Sequence, residues 1–207
     1  MLFPKVNSRR GFTLVELLVT ISIFVILTGI VLFNNSKFNS TILLTNLAYD
    51  TALTVRQAQN YGINIKEFSL GQFKPYGVHF NMSSPTSFIL FADLTYTNDA
   101  SPGTGIFIGL VGNCNPSAGC VSRYSIKRGN YIKALCKEQL ASDIFTCTPG
   151  YSLNTLNIVF KRPNPDAIMK QAQSDTAFSV VTVVLGGADG SSRKVVVRDN
   201  GLIEIAK

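Results

Sequence analysis

Charge is scarce in this chain. Only 15% of its 207 residues are charged, whereas 46% are hydrophobic, and the mean hydropathy is +0.23. That composition is too apolar for a disordered chain and unusually charge-poor for a cytosolic one. Histidine is scarcer still, with His79 alone, and none of the four cysteines belongs to a C-x-x-C pair. Zinc sites draw on closely spaced Cys/His ligands in pairs, so a metal site is a poor reading and no cofactor is expected. Proline is missing from residues 12–33, leaving Gly29 as the only weak point for a helix there.

The formal net charge is +7, which invites a nucleic-acid reading because clustered cations neutralise phosphates. Lys5, Arg9 and Arg10 supply three of those charges at the N-terminus, where a membrane reading is at hand. The remaining balance is ordinary and weak evidence for nucleic acid. An even number of cysteines in a chain carried outward points to disulfides. Cys114, Cys120, Cys136 and Cys147 allow three connectivities, of which Cys114–Cys120 with Cys136–Cys147 closes the shortest loops. Free, buried thiols are the alternative.

Residues 12–33 read FTLVELLVTISIFVILTGIVLF. As a helix, these 22 residues would extend about 33 Å, close to the thickness of a bilayer core. The basic residues before them predict a cytoplasmic N-terminus with the rest of the chain outside. A secretory signal would end in a small-x-small cleavage site, yet the apolar run leads into Asn34-Asn35-Ser36-Lys37-Phe38. A plain single-pass anchor is the other rival. Glu16 argues against both, because an ionisable group at membrane depth costs about 2.5–3.5 kcal/mol and usually has a partner. Either Glu16 lies shallow and reaches the headgroups, or it has an electrostatic role.

The segment Arg9-Arg10-Gly11-Phe12-Thr13-Leu14-Val15-Glu16 closely resembles the class III signal of type IV prepilins and type II secretion pseudopilins. The resemblance implies cleavage after Gly11 by a prepilin peptidase, methylation of the new N-terminus at Phe12, and attraction between Glu16 and the Phe12 amine of a neighbouring subunit. A glycine before the scissile bond leaves the backbone unobstructed. Pairing two opposite charges between subunits would relieve both in lipid and set an axial stagger. Major pilins often carry a proline in this helix, so its absence points towards a minor pilin or pseudopilin.

Beyond the apolar run, Leu44, Ala48, Ala52, Val55 and Ala58 form an apolar stripe at three- and four-residue steps, with Asp50, Arg56 and Gln57 off it and Gly62 ending the run. Short strands are expected at 76–80, 87–93, 153–160, 177–185, 193–198 and 202–205, with hairpin turns at Asp189-Gly190 and Asn200-Gly201. The Gly-, Pro- and Ser-rich stretch 97–150 reads as loops and weak strands, an insertion stapled by disulfides. Residues 157–166, 180–185, 194–198 and 201–205 are similar to the sheet of GspH/FimT-type minor pseudopilins.

The expected fold class is therefore α+β and pilin-like: a long N-terminal helix followed by an antiparallel β-sheet domain. The expected parts are a leader at 1–11, a transmembrane and assembly helix at 12–33, its continuation packing on the globular domain at 34–62, and a β-rich domain at 63–207.

Other features carry less. Gly103-Thr104-Gly105 with Gly109 resembles a dinucleotide fingerprint, but the third glycine arrives one residue late, so a turn or bulge is expected. His79 is expected to be structural. Three N-glycosylation patterns, beginning at Asn34, Asn39 and Asn81, are expected to be chance occurrences. Lys161, Arg162, Arg193, Lys194 and Arg198 form a basic set; FimT-like pilins of competent bacteria bind DNA near the C-terminus, so Arg193, Lys194 and Arg198 are candidate nucleic-acid contacts, against a solvated basic face.

Two functions follow. The first is a structural subunit without enzymatic activity, processed by prepilin peptidase and assembled with other pilins or pseudopilins by an inner-membrane platform and its ATPase. It would sit in the inner membrane and then in the filament. The second is a pilus-displayed DNA-binding or adhesive subunit.

Overall fold

The computed structural model describes residues 11–64, 66–69, 72–98, 103–110, 113–137, 147, 150–172, 174 and 176–206, without the side chains of 33–39. The chain divides into two compact units, Met1–Asn39 and Ser40–Lys207. Helix α1 (Leu14–Ile63) contributes to both.

In the first unit the described part is helical from Leu14 onward, and the segment Leu14–Leu32 is long and apolar enough to cross a membrane. Its few polar side chains satisfy themselves locally. Thr20 Oγ1 donates to the Leu17 carbonyl at 2.9 Å, Ser22 Oγ to Leu18 at 2.8 Å and Thr28 Oγ1 to Phe24 at 2.7 Å. These bonds remove the cost of carrying bare hydroxyls into hydrocarbon.

The second unit is built on the C-terminal half of α1 and two antiparallel sheets. One sheet has the order β5 (Cys120–Ser125), β4 (Ser87–Ala92), β3 (Tyr76–Asn81), β7 (Thr155–Phe160), β8 (Ala167–Lys170). The other has the order β11 (Ile203–Ala206), β10 (Ser192–Arg198), β9 (Val180–Gly186), β6 (Tyr131–Lys137). A small hairpin, β1 (Glu67–Ser69) and β2 (Gln72–Phe73), follows the helix.

The helical stripe Leu44, Ala48, Ala52, Val55 and Ala58 is buried in one core with Val78, Phe80 and Phe160 from the larger sheet and Val183, Leu185 and Val195 from the smaller. Small side chains on the helix allow it close to the strands. At Gly62 the approach is closest: a Cβ there would lie 2.4 Å from the Phe160 carbonyl oxygen. Gln59, one turn earlier, donates through Nε2 to the Pro165 carbonyl at 3.0 Å and the Gly201 carbonyl at 3.1 Å. This ties the end of α1 to the last hairpin. Gly201 itself sits at φ +79°, with no room for a side chain against Pro165.

The stretch 97–150 departs from its reading as loops and weak strands. It supplies β5, paired with β4 (Phe88↔Tyr124), and β6, paired with β9 (Leu135↔Val183), so it builds an edge of each sheet. β5 carries two serines and an arginine and β6 two lysines, polar residues that edge strands tolerate. Within the same stretch Cys114 is bonded to Cys120 and Cys136 to Cys147, with Cα separations of 5.2 and 5.3 Å.

Burial does not alternate along β3, because both faces of the larger sheet are covered. On the outer face Ile89, Phe91, Phe107, Cys120 and Val159 form a second apolar cluster. The glycine-rich segment lies over that face as irregular chain and lays Phe107 on it, with Gly103 at φ +74°. Buried Asp93 holds it, accepting from the backbone of Thr95 at 3.0 Å and of Gly105 at 2.8 Å.

Candidate functional site: the head of the apolar helix

Residues 11–13 precede the helix in non-helical conformation. Gly11 is exposed, with no heavy atom within 4 Å of where a Cβ would stand. Phe12 is 79% exposed. The Gly11–Phe12 bond therefore lies outside the helical hydrogen-bond ladder.

Thr13 caps the helix. Its Oγ1 accepts the N–H of Glu16 at 3.2 Å, and its carbonyl accepts the N–H of Leu17 at 3.2 Å. Threonine followed three residues later by glutamate is the spacing of a capping box. This role for Thr13 escaped the reading of the sequence, although the Thr-x-x-Glu spacing was its signal. Glu16 is the acidic residue of the first turn and is exposed. There its carboxylate meets the positive end of the helix dipole, which offsets part of the cost of a negative charge in an apolar stretch.

Around this head the side chains of Leu14–Leu32 are turned outward, with Leu14, Phe24 and Val31 each about two-thirds or more exposed. At roughly 25 cal/mol per Å² of apolar surface, such a helix is strongly driven into lipid or against other helices.

Residues 6–32 match the family model of the prokaryotic N-terminal methylation motif. The chain carries that motif. The match supports a type IV pilin-like family, a subunit processed by prepilin peptidase, assembled with other pilins and anchored through its apolar helix. Neither a curated protein nor a solved structure matches the chain.

The structure does not bring the C-terminal cations together. Arg193 and Lys194 are neighbours on β10 and so face opposite sides of the sheet. Lys194 is only 2% exposed. Arg198 is ion-paired with Glu204 at 3.5 Å. Lys161 lies over the Tyr96 ring, 5.1 Å from its centre.

His79 is packed against Phe107, 5.3 Å between ring centres, and its Nδ1 lies 2.8 Å from Asn157 Oδ1. That oxygen also accepts the N–H of Phe107 at 3.2 Å. An amide oxygen that accepts from Phe107 must accept from the imidazole too, so Nδ1 carries the proton. Burial pushes the His79 pKa below its ordinary value.

Proposed function

We propose that this protein is a structural minor pilin or pseudopilin, of the GspH/FimT type, assembled into a type II secretion pseudopilus or a type IV pilus. The observation that carries the reading is one coincidence at the N-terminus. A methylation motif, an open Gly11–Phe12 bond, a capped helix start with Glu16 in its first turn, and an outward apolar surface over Leu14–Leu32 occur together.

In this reading the leader 1–11 is cut on the cytoplasmic face and Phe12 receives a methyl group. The Phe12 amine of one subunit then pairs with Glu16 of its neighbour. Each charge alone is unfavourable among apolar helices, so the paired stagger is favoured over every other axial offset. The segment 34–62 joins the anchor to the 63–207 domain, which lies outside the inner membrane. Export, an assembly platform and its ATPase supply the work, and the subunit needs no catalytic residue of its own.

Intact mass after co-expression with a prepilin peptidase tests the reading, beside a Gly11→Ala control. Loss of residues 1–11 with one added methyl group, blocked or much reduced in the control, is the expected result. An uncut chain beside an active peptidase would refute it. Glu16→Leu should leave cleavage intact and abolish incorporation into filaments.

A further inference from the structure

The outer edge of a sheet presents a row of unpaired N–H and C=O groups, a template on which another chain can pair. Two of these edges are closed by the chain itself. Beside β8, Phe178 donates to the Met169 carbonyl at 2.9 Å and Ala167 donates to the Asp199 carbonyl at 2.7 Å. Beside β6, Leu153 donates to Leu135 at 2.8 Å and Lys137 to Tyr151 at 2.9 Å. β5 and β11 differ, because no strand lies beyond either among the described residues. Of these two, β5 borders a groove of about 720 Å³.

One bond tells which way the β5 backbone points. Ile126 donates to the Thr86 carbonyl at 2.8 Å, and opposed residues of an antiparallel pair alternate between bonded and non-bonded. Ser87↔Ser125 and Ile89↔Arg123 are therefore non-bonded pairs, and the main-chain groups of Ser125 and Arg123 turn outward, away from β4. The groove runs between this edge and α1, with Asn46 and Asp50 on the helix side and Arg123, Lys127 and Arg128 on the strand side. Its rim is cationic. Arg123, Lys127 and Arg128 are exposed, and the latter two have no carboxylate partner among the described residues. The lining carboxylate, Asp50, already accepts the Tyr124 hydroxyl. Arg128 keeps its place at φ +62°, a hairpin position that suits Asn, Asp or Gly. A cation is thus held beside the open edge against the preference of the turn.

We infer that the β5 edge accepts an added strand from a protein partner, an extended acidic segment whose carboxylates face Lys127 and Arg128. Main-chain bonds along the edge, with Ser125 among their donors and acceptors, supply the affinity. The cations supply the choice: they repel neutral pairing and basic strands, which protects the edge from aggregation, and they favour a segment of opposite charge. A nucleic acid is also anionic, yet it brings no row of peptide groups to a strand edge, and that row is what β5 offers. The contact lies wholly within the second unit and is independent of anchoring and of filament assembly.

The test uses the full chain in phosphatidylcholine nanodiscs and a short fluorescent peptide of alternating Glu and Val. Fluorescence anisotropy should show binding, and hydrogen exchange at the Ser125 amide should slow when the peptide is present. Replacing its Glu with Lys, or N-methylating its amides, should each weaken binding by about tenfold or more. Lys127→Gln and Arg128→Asn should each weaken it up to about fivefold, the range of an exposed ion pair. Arg128→Asn eases the turn, so its loss of binding is not a sign of unfolding. Ser125→Pro removes an outward N–H without touching the ladder to β4 and should lower binding as well. Equal binding of the Glu and Lys peptides, or undiminished binding of the N-methylated one, would overturn the inference. So would Ser125 protection that grows with protein concentration alone, which assigns the edge to a second copy. Protection by a single-stranded oligonucleotide in place of the peptide, or no binding at all, would overturn it equally.

Discussion

The Tyr124 hydroxyl donates to Asp50 Oδ2 at 2.5 Å, joining edge strand β5 to α1 across 74 residues of sequence. The Tyr124 ring also stacks on Phe88, 4.7 Å between centres and 10° from parallel. Burial, then the hydrogen bond to Asp50 and its negative charge, push the Tyr124 pKa up to about 12. The unfolded chain releases the same proton near 10. The bond's contribution is therefore complete below pH 10 and is lost as pH rises through about 12. Ultraviolet titration should show Tyr124 ionising well above an ordinary tyrosine. Tyr76, which burial also pushes up to about 12, ionises in the same range, so Tyr124→Phe should shrink that transition by one tyrosine, not abolish it, and cost about 1–2 kcal/mol in urea unfolding.

Gly62→Ala sets two effects against each other. Alanine in place of glycine favours a helix by about 1 kcal/mol. Against this, the new methyl would meet the Phe160 carbonyl at 2.4 Å, and backbone cannot swing aside as a flexible side chain can. Overpacking of that kind costs about 1–3 kcal/mol. The clash wins, so the unfolding midpoint should fall rather than rise.

The disulfides close loops of different size. With sequence separations of 6 and 11, chain-entropy arguments give about 2 kcal/mol for Cys114–Cys120 and about 3 for Cys136–Cys147. Replacing each pair with serine should lower stability in that order. Equal losses, or none, would assign the stabilisation to something other than loop closure.

His79 should make the fold acid-sensitive. Its folded pKa lies below 6.5 because burial disfavours the imidazolium. As pH falls below about 6.5, the unfolded chain takes up a proton that the folded one refuses, so stability declines. His79→Gln should flatten the change in urea midpoint between about pH 7 and pH 5. An unchanged slope would show that His79 titrates normally.

The parts of this molecule written locally were legible in its sequence. Leu44, Ala48 and Val55 recur at helical spacing and are buried as a stripe. The valine-rich strands β9 and β10 and the turns holding Gly190 and Gly201 also declare themselves through neighbouring residues. What stayed hidden depends on distant partners. Strands β5 and β6 look like loop sequence because their hydrogen bonds go to β4 and β9, far away in the chain, and because half of the β5 side chains are exposed. The cover that buries His79 comes from Phe107, 28 positions away and preceded by an irregular glycine-containing segment. Arg193, Lys194 and Arg198 looked like one cluster because they are close in sequence, but strand alternation sets Arg193 on the other face, Lys194 is buried and Arg198 is paired with Glu204.

The bond from Gln59 to Gly201 spans 142 positions and so orders events in time. The helix emerges early in synthesis, yet the hairpin that secures its last turn is made of residues 192–206. Until those residues arrive, Val55 and Ala58 lack part of their covering, and no local pairing can substitute for it. Folding of the second unit is therefore dominated by contacts between distant parts of the chain, which makes it slow. A nascent subunit already held by its apolar helix would meanwhile expose an incomplete core, open to chaperones and proteases alike.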